Sequence, residues 1–187
     1  MKNADWDDIQ DCLNGDEQAY GRLVRQYQAQ VAKLMWRFSR NYAVCERLVQ
    51  DVFVEAYFSL KSYGGKAPFI HWLRKIGTRV GYRFWKEQEE DKVNVPLMDF
   101  DGIEKVEEDS IDPSQAAEIL QGLLGRLPKA ERLVLTLIYF EDCSTREIAE
   151  RMGWTRAMVK MRAYRARNKI KGIAEKENLL EKLGWTH

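Results

Sequence analysis

The clearest sign of chemistry in this sequence is a run of basic side chains between Arg156 and Lys171. The run holds seven lysines and arginines and no acidic residue. Apolar residues recur within it at helical spacing, so the basic side chains occupy the remaining faces of one helix. Such a helix suits contact with the phosphates of nucleic acid, and a solvated basic helix without a partner is the alternative. The apolar positions are Val159, Ala163, Ala166 and Ile170.

The residues before this helix favour nucleic-acid binding over the solvated alternative. Ser144 and Glu147 have the spacing of a capping box, which predicts that a short helix begins there. Gly153 suits the left-handed position that ends a helix, and Thr155 can cap the next one. A short capped helix, a glycine turn and a basic helix together predict a helix-turn-helix motif.

A second basic stretch follows Phe69. No acidic residue lies between Arg74 and Lys86, and aromatic residues alternate with the basic ones. This mixture is typical of surfaces that bind single-stranded nucleic acid, where cations contact phosphates and rings stack on bases. The alternative is that the rings pack in a core. We expect Trp72 and Phe84 to pack there, whereas the sequence leaves Tyr82 and Trp85 open.

Nothing in the sequence predicts a catalytic site, a metal site or a cofactor. The three cysteines, Cys12, Cys45 and Cys143, form no CxxC pair, and His71 and His187 are the only histidines. Glycine-rich phosphate loops, HExxH and GxSxG are also missing. We therefore expect a protein that is not an enzyme, with buried thiols as the simplest role for the cysteines. A redox role for Cys143 is the alternative.

Charge divides the 187-residue chain into three blocks. Residues 1–95 have fifteen basic and thirteen acidic side chains, residues 96–118 have one and eight, and residues 119–187 have fourteen and eight. Two mildly basic blocks separated by an acidic one indicate two nucleic-acid-facing domains and a linker. No apolar run reaches the roughly 18 residues of a membrane span, and the first residues do not resemble a signal peptide, so we expect a cytoplasmic protein.

Hydrophobic periodicity predicts helices throughout and no strands, which makes the fold class all-α. We expect two small helical domains, residues 1–91 and 112–187, joined by an acidic flexible linker at residues 92–111. The helices of the first domain are expected at 5–13, 16–40 and 44–60 and from Pro68 or Phe69 onward. Those of the second are expected at 112–125, at 127–140, in the helix-turn-helix and in a closing amphipathic segment at 175–187.

Five motifs in register resemble those of bacterial sigma factors of the extracytoplasmic-function (ECF) type. Gly15–Tyr20 resembles the opening GDxxAF, and Cys45–Phe53 resembles AEDLVQEVF. Phe69–Gly77 resembles FxxWLxRIA, and Leu127–Arg132 resembles LPxxxR. Ser144–Ala149 and Val159–Arg167 together resemble the family's terminal helix-turn-helix. The resemblance covers nearly the whole chain and implies a region 2 domain followed by a region 4 domain.

The resemblance also assigns roles in the first domain. The helix with Leu48, Gln50 and Asp51 is expected to bind core RNA polymerase, with Arg47 at a position where the family usually has Asp. The loop 62–68 and the following helix are expected to capture the melted −10 element, with Arg79 at a position where Asn is common. The residues assigned to the −10 DNA are Tyr63, Lys66, Trp72, Lys75, Arg79 and Arg83.

In the second domain the basic helix is expected to enter the major groove of the −35 element. Its first residues, Arg156, Lys160 and Met161, are the candidates for base contacts. The remaining basic residues are the candidates for phosphate contacts, which set the register without specifying sequence. These are Arg162, Arg165, Arg167 and Lys169. Replacing a residue that contacts phosphate should weaken binding to all promoters. Replacing a residue that contacts bases should change which −35 element is preferred.

The resemblance therefore implies a promoter-specificity subunit whose partners are core RNA polymerase, promoter DNA and an anti-sigma factor. Two other interpretations remain. A helix-turn-helix regulator would bind operator DNA without joining the polymerase, but it leaves the LVQ-type motif and the stretch 69–86 without a purpose. A nucleic-acid-modifying enzyme would need a carboxylate or His/Cys cluster in the first domain, where the acids at 87–91 form a consecutive run.

Overall fold

The computed structural model describes residues 5–90 and 113–179, with the side chains of 89, 90 and 113–118 left out. Within these residues the chain forms eight α-helices, one short 3-10 turn and no strand, which confirms the all-α prediction. The helices divide between two compact units, residues 1–91 and 92–187. The expected linker at 92–111 and most of the expected closing helix lie outside the described residues.

The first unit contains α1 (Trp6–Leu13), α2 (Glu17–Met35), α3 (Tyr42–Ser59) and α4 (Phe69–Glu90), with the 3-10 turn Leu60–Ser62 after α3. Asp16 caps α2 by accepting a hydrogen bond from Gln18 N, and Asn41 caps α3 by accepting one from Val44 N. Helix α2 packs against the other three helices, and α3 packs against α4. The core residues at this centre include Leu23, Val31, Leu34, Val52, Ala56, Leu73 and Val80.

Helix α2 ends at Met35, five residues earlier than the periodicity predicts. The chain turns at Trp36–Phe38, and the Phe38 ring packs on Trp85 with 4.7 Å between centroids. The Trp85 indole Nε1 donates to the Phe38 carbonyl at 2.7 Å, so this partner on α4 satisfies a backbone group that a longer α2 would have used. Trp85 is therefore a core residue, which answers the question that the sequence left open.

Close contact between α4 and the turn after α2 depends on Gly81 of α4. A Cβ on Gly81 would lie 2.4 Å from ring atoms of Phe38, closer than real contacts allow. Thr78, fully buried one turn earlier, satisfies its hydroxyl by donating to the Arg74 carbonyl of the same helix. Gly81 leaves room for the Phe38 ring, and Thr78 needs no hydrogen-bond partner from outside α4. The turn after α2 can therefore lie directly against α4.

The second unit contains α5 (Pro113–Gly125), α6 (Lys129–Phe140), α7 (Thr145–Met152) and α8 (Arg156–Lys176). Helix α8 contacts each of the other three and lies at the centre of the unit. Its small inner residues Val159, Ala163 and Ala166 are buried, as the sequence predicts. Leu120 of α5 is exposed. A buried cluster joins the end of α5 to α6 and α8 through Leu124, Leu127, Leu135 and Ala166.

Candidate nucleic-acid interfaces

The helix-turn-helix of the second unit is built as its sequence predicts. Ser144 Oγ accepts from Glu147 N at 3.2 Å, and Glu147 Oε2 accepts from Ser144 N at 2.8 Å, which completes the capping box. Gly153 has φ 68°, in the left-handed region that favours glycine. Thr155 caps α8 by accepting from Met158 N at 3.2 Å. These local bonds set where α8 begins and therefore which side chains project from its first turns.

The seven residues assigned to the −35 DNA all lie on α8, but their side chains are not equivalent. Arg156, Lys160 and Arg165 are exposed and have no ion-pair partner within the described residues. Met161 is also exposed, between the basic side chains. In the described part of the chain no ion pair holds these four side chains, so a ligand can reach them directly.

The other three basic residues of the set are held by the unit itself. Arg162 is half-buried, with its guanidinium carbon 3.8 Å from the centroid of the Trp154 ring. Arg167 Nε donates to the Tyr139 hydroxyl at 3.2 Å, and Lys169 Nζ lies 3.4 Å from Glu131 Oε2. Neighbours on α6 and in the turn before α8 therefore fix the direction of these cations.

Burial of the motif residues in α6 affects one arginine directly. Desolvation lowers the pKa of Arg132 to about 10. The guanidinium stays protonated at neutral pH, so the LPxxxR-like motif holds a positive charge on a half-buried side chain of the unit.

In the first unit, α4 carries a basic stripe defined by Trp72, Lys75, Arg79 and Arg83. The intervals between these four residues place them on one face of the helix, and the stripe is about 16 Å long. Lys75 and Arg79 are exposed and Trp72 is half-buried. Arg83 is exposed but forms ion pairs with Glu55 of α3 and with Glu87 one turn further along α4. The structure thus brings four of the six −10 residues together on one helix face.

The loop before α4 contains the other two −10 residues, and they differ sharply. Lys66 is exposed, whereas Tyr63 is only 6% exposed. The Tyr63 hydroxyl donates to the Ala67 carbonyl, and its ring contacts Phe69 and Trp72 at centroid distances of 5.3 and 5.6 Å. Tyr63 therefore supports the loop from inside, and in this structure its ring offers no surface on which a base could stack.

Helix α1 also supports this loop. Gly65 has φ 67°, and a Cβ there would lie 2.5 Å from the Trp6 ring. The start of α1 is anchored by Asp5, which accepts hydrogen bonds from Tyr27 Oη at 2.7 Å and Gln26 Nε2 at 2.9 Å. Trp6 and Gly65 are thus part of the loop's architecture, although the sequence analysis assigned neither of them a role.

The residues assigned to polymerase binding lie on α3. Gln50 and Asp51 are exposed, but Leu48 is only 2% exposed and belongs to the core, so it cannot contact a partner directly. Val54 and Phe58 share the face of Gln50 and Asp51 and are 54% and 80% exposed. Exposed apolar side chains beside polar ones mark an interaction surface. Sequence reasoning missed this pair, although its four-residue spacing outside the core face is the signal that could have found it.

Arg47 lies on the same face of α3. Its guanidinium carbon is 6.0 Å from the centroid of Phe84, a core residue of α4. The side chain is exposed, so its charge adds to the surface formed by Gln50, Asp51, Val54 and Phe58. We call these five residues the α3 face.

Other chemistry finds no support in the described part of the chain. No group of three or more His, Cys, Asp or Glu side chains there could hold a metal ion. Cys143 is buried, and burial is the main cause that raises the pKa of the Cys45 and Cys12 thiols, which makes them poor nucleophiles at neutral pH. None of the described helices is both long and apolar enough to span a bilayer.

Comparison with known families matches both units. The family model for sigma-70 region 2 matches residues 23–90, and the model for sigma-70 region 4 matches residues 117–170. The ECF RNA polymerase sigma-E factor of Haemophilus influenzae is 28% identical over 170 residues, which are 83% of this chain and 87% of that protein. The ECF sigma factor SigW of Bacillus subtilis is 24% identical over 173 residues, which are 87% and 92% of the two chains.

Solved structures show the same fold. The structure of CnrH in complex with the cytosolic domain of CnrY matches 93% of this chain and 99% of that chain, with a TM-score of 0.61 and 22% identity. The sigma factor RpoE of Bartonella quintana, solved with the anti-sigma factor NepR, matches 83% and 96%, with a TM-score of 0.57 and 19% identity.

The chain therefore belongs to the sigma-70 family of RNA polymerase sigma factors, in its ECF group. A protein of this kind binds core RNA polymerase and directs it to promoter DNA. The region 2 match covers α3 and α4, the part of the chain for which a simple operator-binding regulator has no use.

Proposed function

We propose that this protein binds core RNA polymerase through the α3 face, holds the melted −10 strand on the α4 stripe and loop 62–68, and binds the −35 duplex through α8. The observation that carries the proposal is the order of the two family matches, region 2 and then region 4, in one chain. The exposed surfaces of α3, α4 and α8 fall within those matches.

Polymerase binding is assigned to Gln50 and Asp51 together with Val54 and Phe58. The two apolar side chains supply the area that a stable contact must remove from water, and the polar pair supplies direction. Leu48 contributes by packing α3 onto the core, which keeps the face in position. Its role is thus structural, rather than the direct contact that the motif alone implied.

The −10 surface combines cations with a shaped loop. Lys66, Lys75 and Arg79 are placed to contact phosphates of the single strand, and the half-buried Trp72 offers an edge for stacking. Unstacking a base costs about a few kcal/mol of free energy, and contacts between the protein and the neighbouring nucleotides must offset this cost. Arg83 can contribute after it exchanges its ion pair with Glu55 for a phosphate. Tyr63, as a buried support, keeps the loop in a shape that can receive a base.

The −35 surface is α8, with basic side chains contacting phosphates on both sides of the major groove. Catalysis in this proposal belongs to the polymerase, and the protein itself contributes binding and DNA melting. It works in the cytoplasm, where both partners are present.

We further propose control by an anti-sigma factor. The solved relatives include RpoE with its anti-sigma factor NepR and CnrH with the cytosolic domain of CnrY. An exposed apolar pair such as Val54 and Phe58 is costly to leave in water, and a protein partner that covers it would block polymerase binding at the same time.

The experiment that tests the proposal is reconstitution with core polymerase. The protein should co-purify with core enzyme and direct initiation from promoters identified by mapping transcript starts after overexpression. Asp51→Lys should reduce core binding at least tenfold. Glu17→Lys, which makes the same charge change at an exposed position of α2, is the control and should leave core binding unchanged.

The two other interpretations predict different results. A simple regulator would bind its DNA without core polymerase and would not redirect initiation. A nucleic-acid-modifying enzyme would cleave a labelled duplex in the presence of a divalent metal. Failure both to bind core and to redirect initiation would overturn the sigma-factor assignment.

A further inference from the structure

The side of α8 that lies opposite its buried residues is electrically neutral. Ala157, Met161, Tyr164 and Asn168 follow one another at intervals of four, three and four residues, which places them in one stripe along the helix. All four are exposed, with Met161 at 51% and Tyr164 at 61%. We call these residues the neutral stripe. No charged side chain interrupts it over three turns.

Basic side chains line both margins of the neutral stripe. At 100° per residue, Arg156, Lys160 and Arg167 fall on one margin and Arg162, Arg165 and Lys169 on the other. The bonds of Arg167 to Tyr139 and of Lys169 to Glu131 turn these two side chains toward the unit and away from the stripe. The stacking of Arg162 on Trp154 has the same effect.

This division matches the shape of the major groove. A helix that lies in the groove points its outermost side chains at base edges, and its two margins meet the phosphates of the two strands. Ala157 and Met161 have no hydrogen-bond donor, so they can recognise a base only by apolar contact. The thymine C5-methyl is the apolar group that the major groove displays.

Resting on the proposed binding of α8 to the −35 duplex, we infer that Met161 and Ala157 determine −35 specificity by contacting thymine methyl groups. Tyr164 lies beside Met161 on the same stripe, and its ring adds apolar surface next to the Met161 side chain. Arg156 and Lys160, which the sequence placed at base edges, are margin residues and contact phosphates. The −35 elements of this protein should therefore share thymines at fixed positions, on either strand.

The test removes the methyl group without changing base pairing. Holoenzyme reconstituted from core polymerase and the full chain is first used to select −35 elements from a randomised promoter library. Each thymine of the selected element is then replaced singly by deoxyuridine, and promoter affinity is measured. At one or two positions the replacement should lower affinity about fourfold, the value expected for one buried methyl group.

The variant Met161→Ala identifies the side chain that contacts the methyl. It should bind the thymine promoter about as weakly as wild type binds the deoxyuridine promoter. The ratio of its affinities for the thymine and deoxyuridine promoters should be close to one. Met161→Leu keeps an apolar side chain and should keep the ratio. Arg165→Ala, a margin variant, should weaken both promoters equally. Because Met161 and Arg165 are exposed, these variants should fold normally, which circular dichroism can verify.

The inference is overturned if every deoxyuridine replacement is neutral, or if Met161→Ala retains the wild-type ratio. It is also overturned if the selected elements share guanines and no thymines. These outcomes leave the sigma-factor assignment intact, because the holoenzyme still forms and initiates. Failure to obtain holoenzyme or initiation at any promoter would instead contradict the proposed function on which the inference rests.

Discussion

Residues of the same type have different roles on the two DNA-facing helices because their neighbours differ. On α8, Arg165 is exposed without a partner within the described residues, whereas Arg162 stacks on Trp154, which lies in the turn before the helix. On α4, Arg79 is exposed and Arg83 forms ion pairs with two glutamates. Exposed ion pairs contribute little to stability, so Arg83 can change partner at small cost. To contact a phosphate, Arg162 would have to give up its stacking on the Trp154 ring and leave a half-buried site.

A first prediction follows for the salt dependence of promoter binding. Each phosphate contact contributes about 0.9 to the slope of log affinity against log salt concentration. Arg165→Ala should therefore lower the slope of holoenzyme binding by about one contact. Arg162→Ala should lower it by clearly less, because its guanidinium is already engaged. Equal reductions for the two variants would show that Arg162 leaves Trp154 and contacts DNA like the others.

At the scale of elements, the helix-turn-helix is determined by local bonds and the first unit by close packing. The capping box of α7 satisfies two backbone groups that would otherwise lack partners at the start of the helix. The packing of α4 on the turn after α2 instead requires that Gly81 have no side chain. The two kinds of determinant respond differently to mutation.

The cap can be tested by substitution at Ser144. Ser144→Ala should cost about 1 kcal/mol because Glu147 N loses its acceptor. Ser144→Asp supplies another acceptor and should restore most of the stability. Hydrogen exchange of the α7 amides in the full chain is the measurement, since it reports on this helix alone. Similar exchange in Ser144→Ala and wild type would mean that tertiary packing, not the cap, determines where α7 begins.

The close contact can be tested with a pair of glycines in the same unit. Gly81→Ala should destabilise the first unit by about 1–3 kcal/mol, because the new Cβ overlaps the Phe38 ring. Gly21→Ala is the matched control in α2, where the new Cβ would be 3.6 Å from the mobile end of Arg25. It should stabilise the unit by about 0.5–1 kcal/mol through helix propensity. Urea denaturation distinguishes the two, and destabilisation by both would contradict the packing argument.

At the scale of the whole molecule, binding to polymerase and DNA is distributed over surfaces that can fail separately. The α3 face, the loop 62–68 with the α4 stripe, and α8 are each formed by different residues. A defect in one should therefore change one step of initiation and leave the others in place. The loop offers the clearest case, because two adjacent glycines there have opposite structural demands.

Gly65→Ala should impair promoter melting without impairing polymerase binding. Its positive φ strains any side chain, and the new Cβ overlaps Trp6, so the loop must change shape. Gly64→Ala is the control, since nothing lies within 4 Å of its Cβ and no such strain applies. Permanganate reactivity of −10 thymines should fall several-fold for Gly65→Ala alone, with core co-purification unchanged. Equal melting by both variants would show that the loop's shape is not needed.

Features that depend on short stretches of chain could be predicted well. The capping box at Ser144, the turn at Gly153 and the cap at Thr155 involve residues within four positions of each other, so their spacing suffices to predict them. The start of α2 after its Asp16 cap and the start of α4 at Phe69 follow from the same local rules. The order of the motifs likewise indicates the ECF family from the sequence alone.

Features that depend on contacts between residues far apart in the sequence could not be predicted. Helix periodicity alone extends α2 to Arg40, because the Trp85 indole N–H that donates to the Phe38 carbonyl and ends the helix lies 47 residues away. The same holds for Tyr63, whose ring contacts Trp6 of the distant helix α1 as well as Phe69 and Trp72 of α4. It holds for Leu48 as well, which shares a motif with Gln50 but faces the opposite side of α3.

The sequence by itself thus determined the all-α class, the helix-turn-helix and the family, because caps, periodicity and motif spacing are local properties. Only the tertiary structure decided which members of each motif are free to meet a partner. Exposure is a property of the packed unit: Tyr63 and Leu48 are buried, Val54 and Phe58 are not, and three of the six basic residues assigned to the −35 DNA are already held.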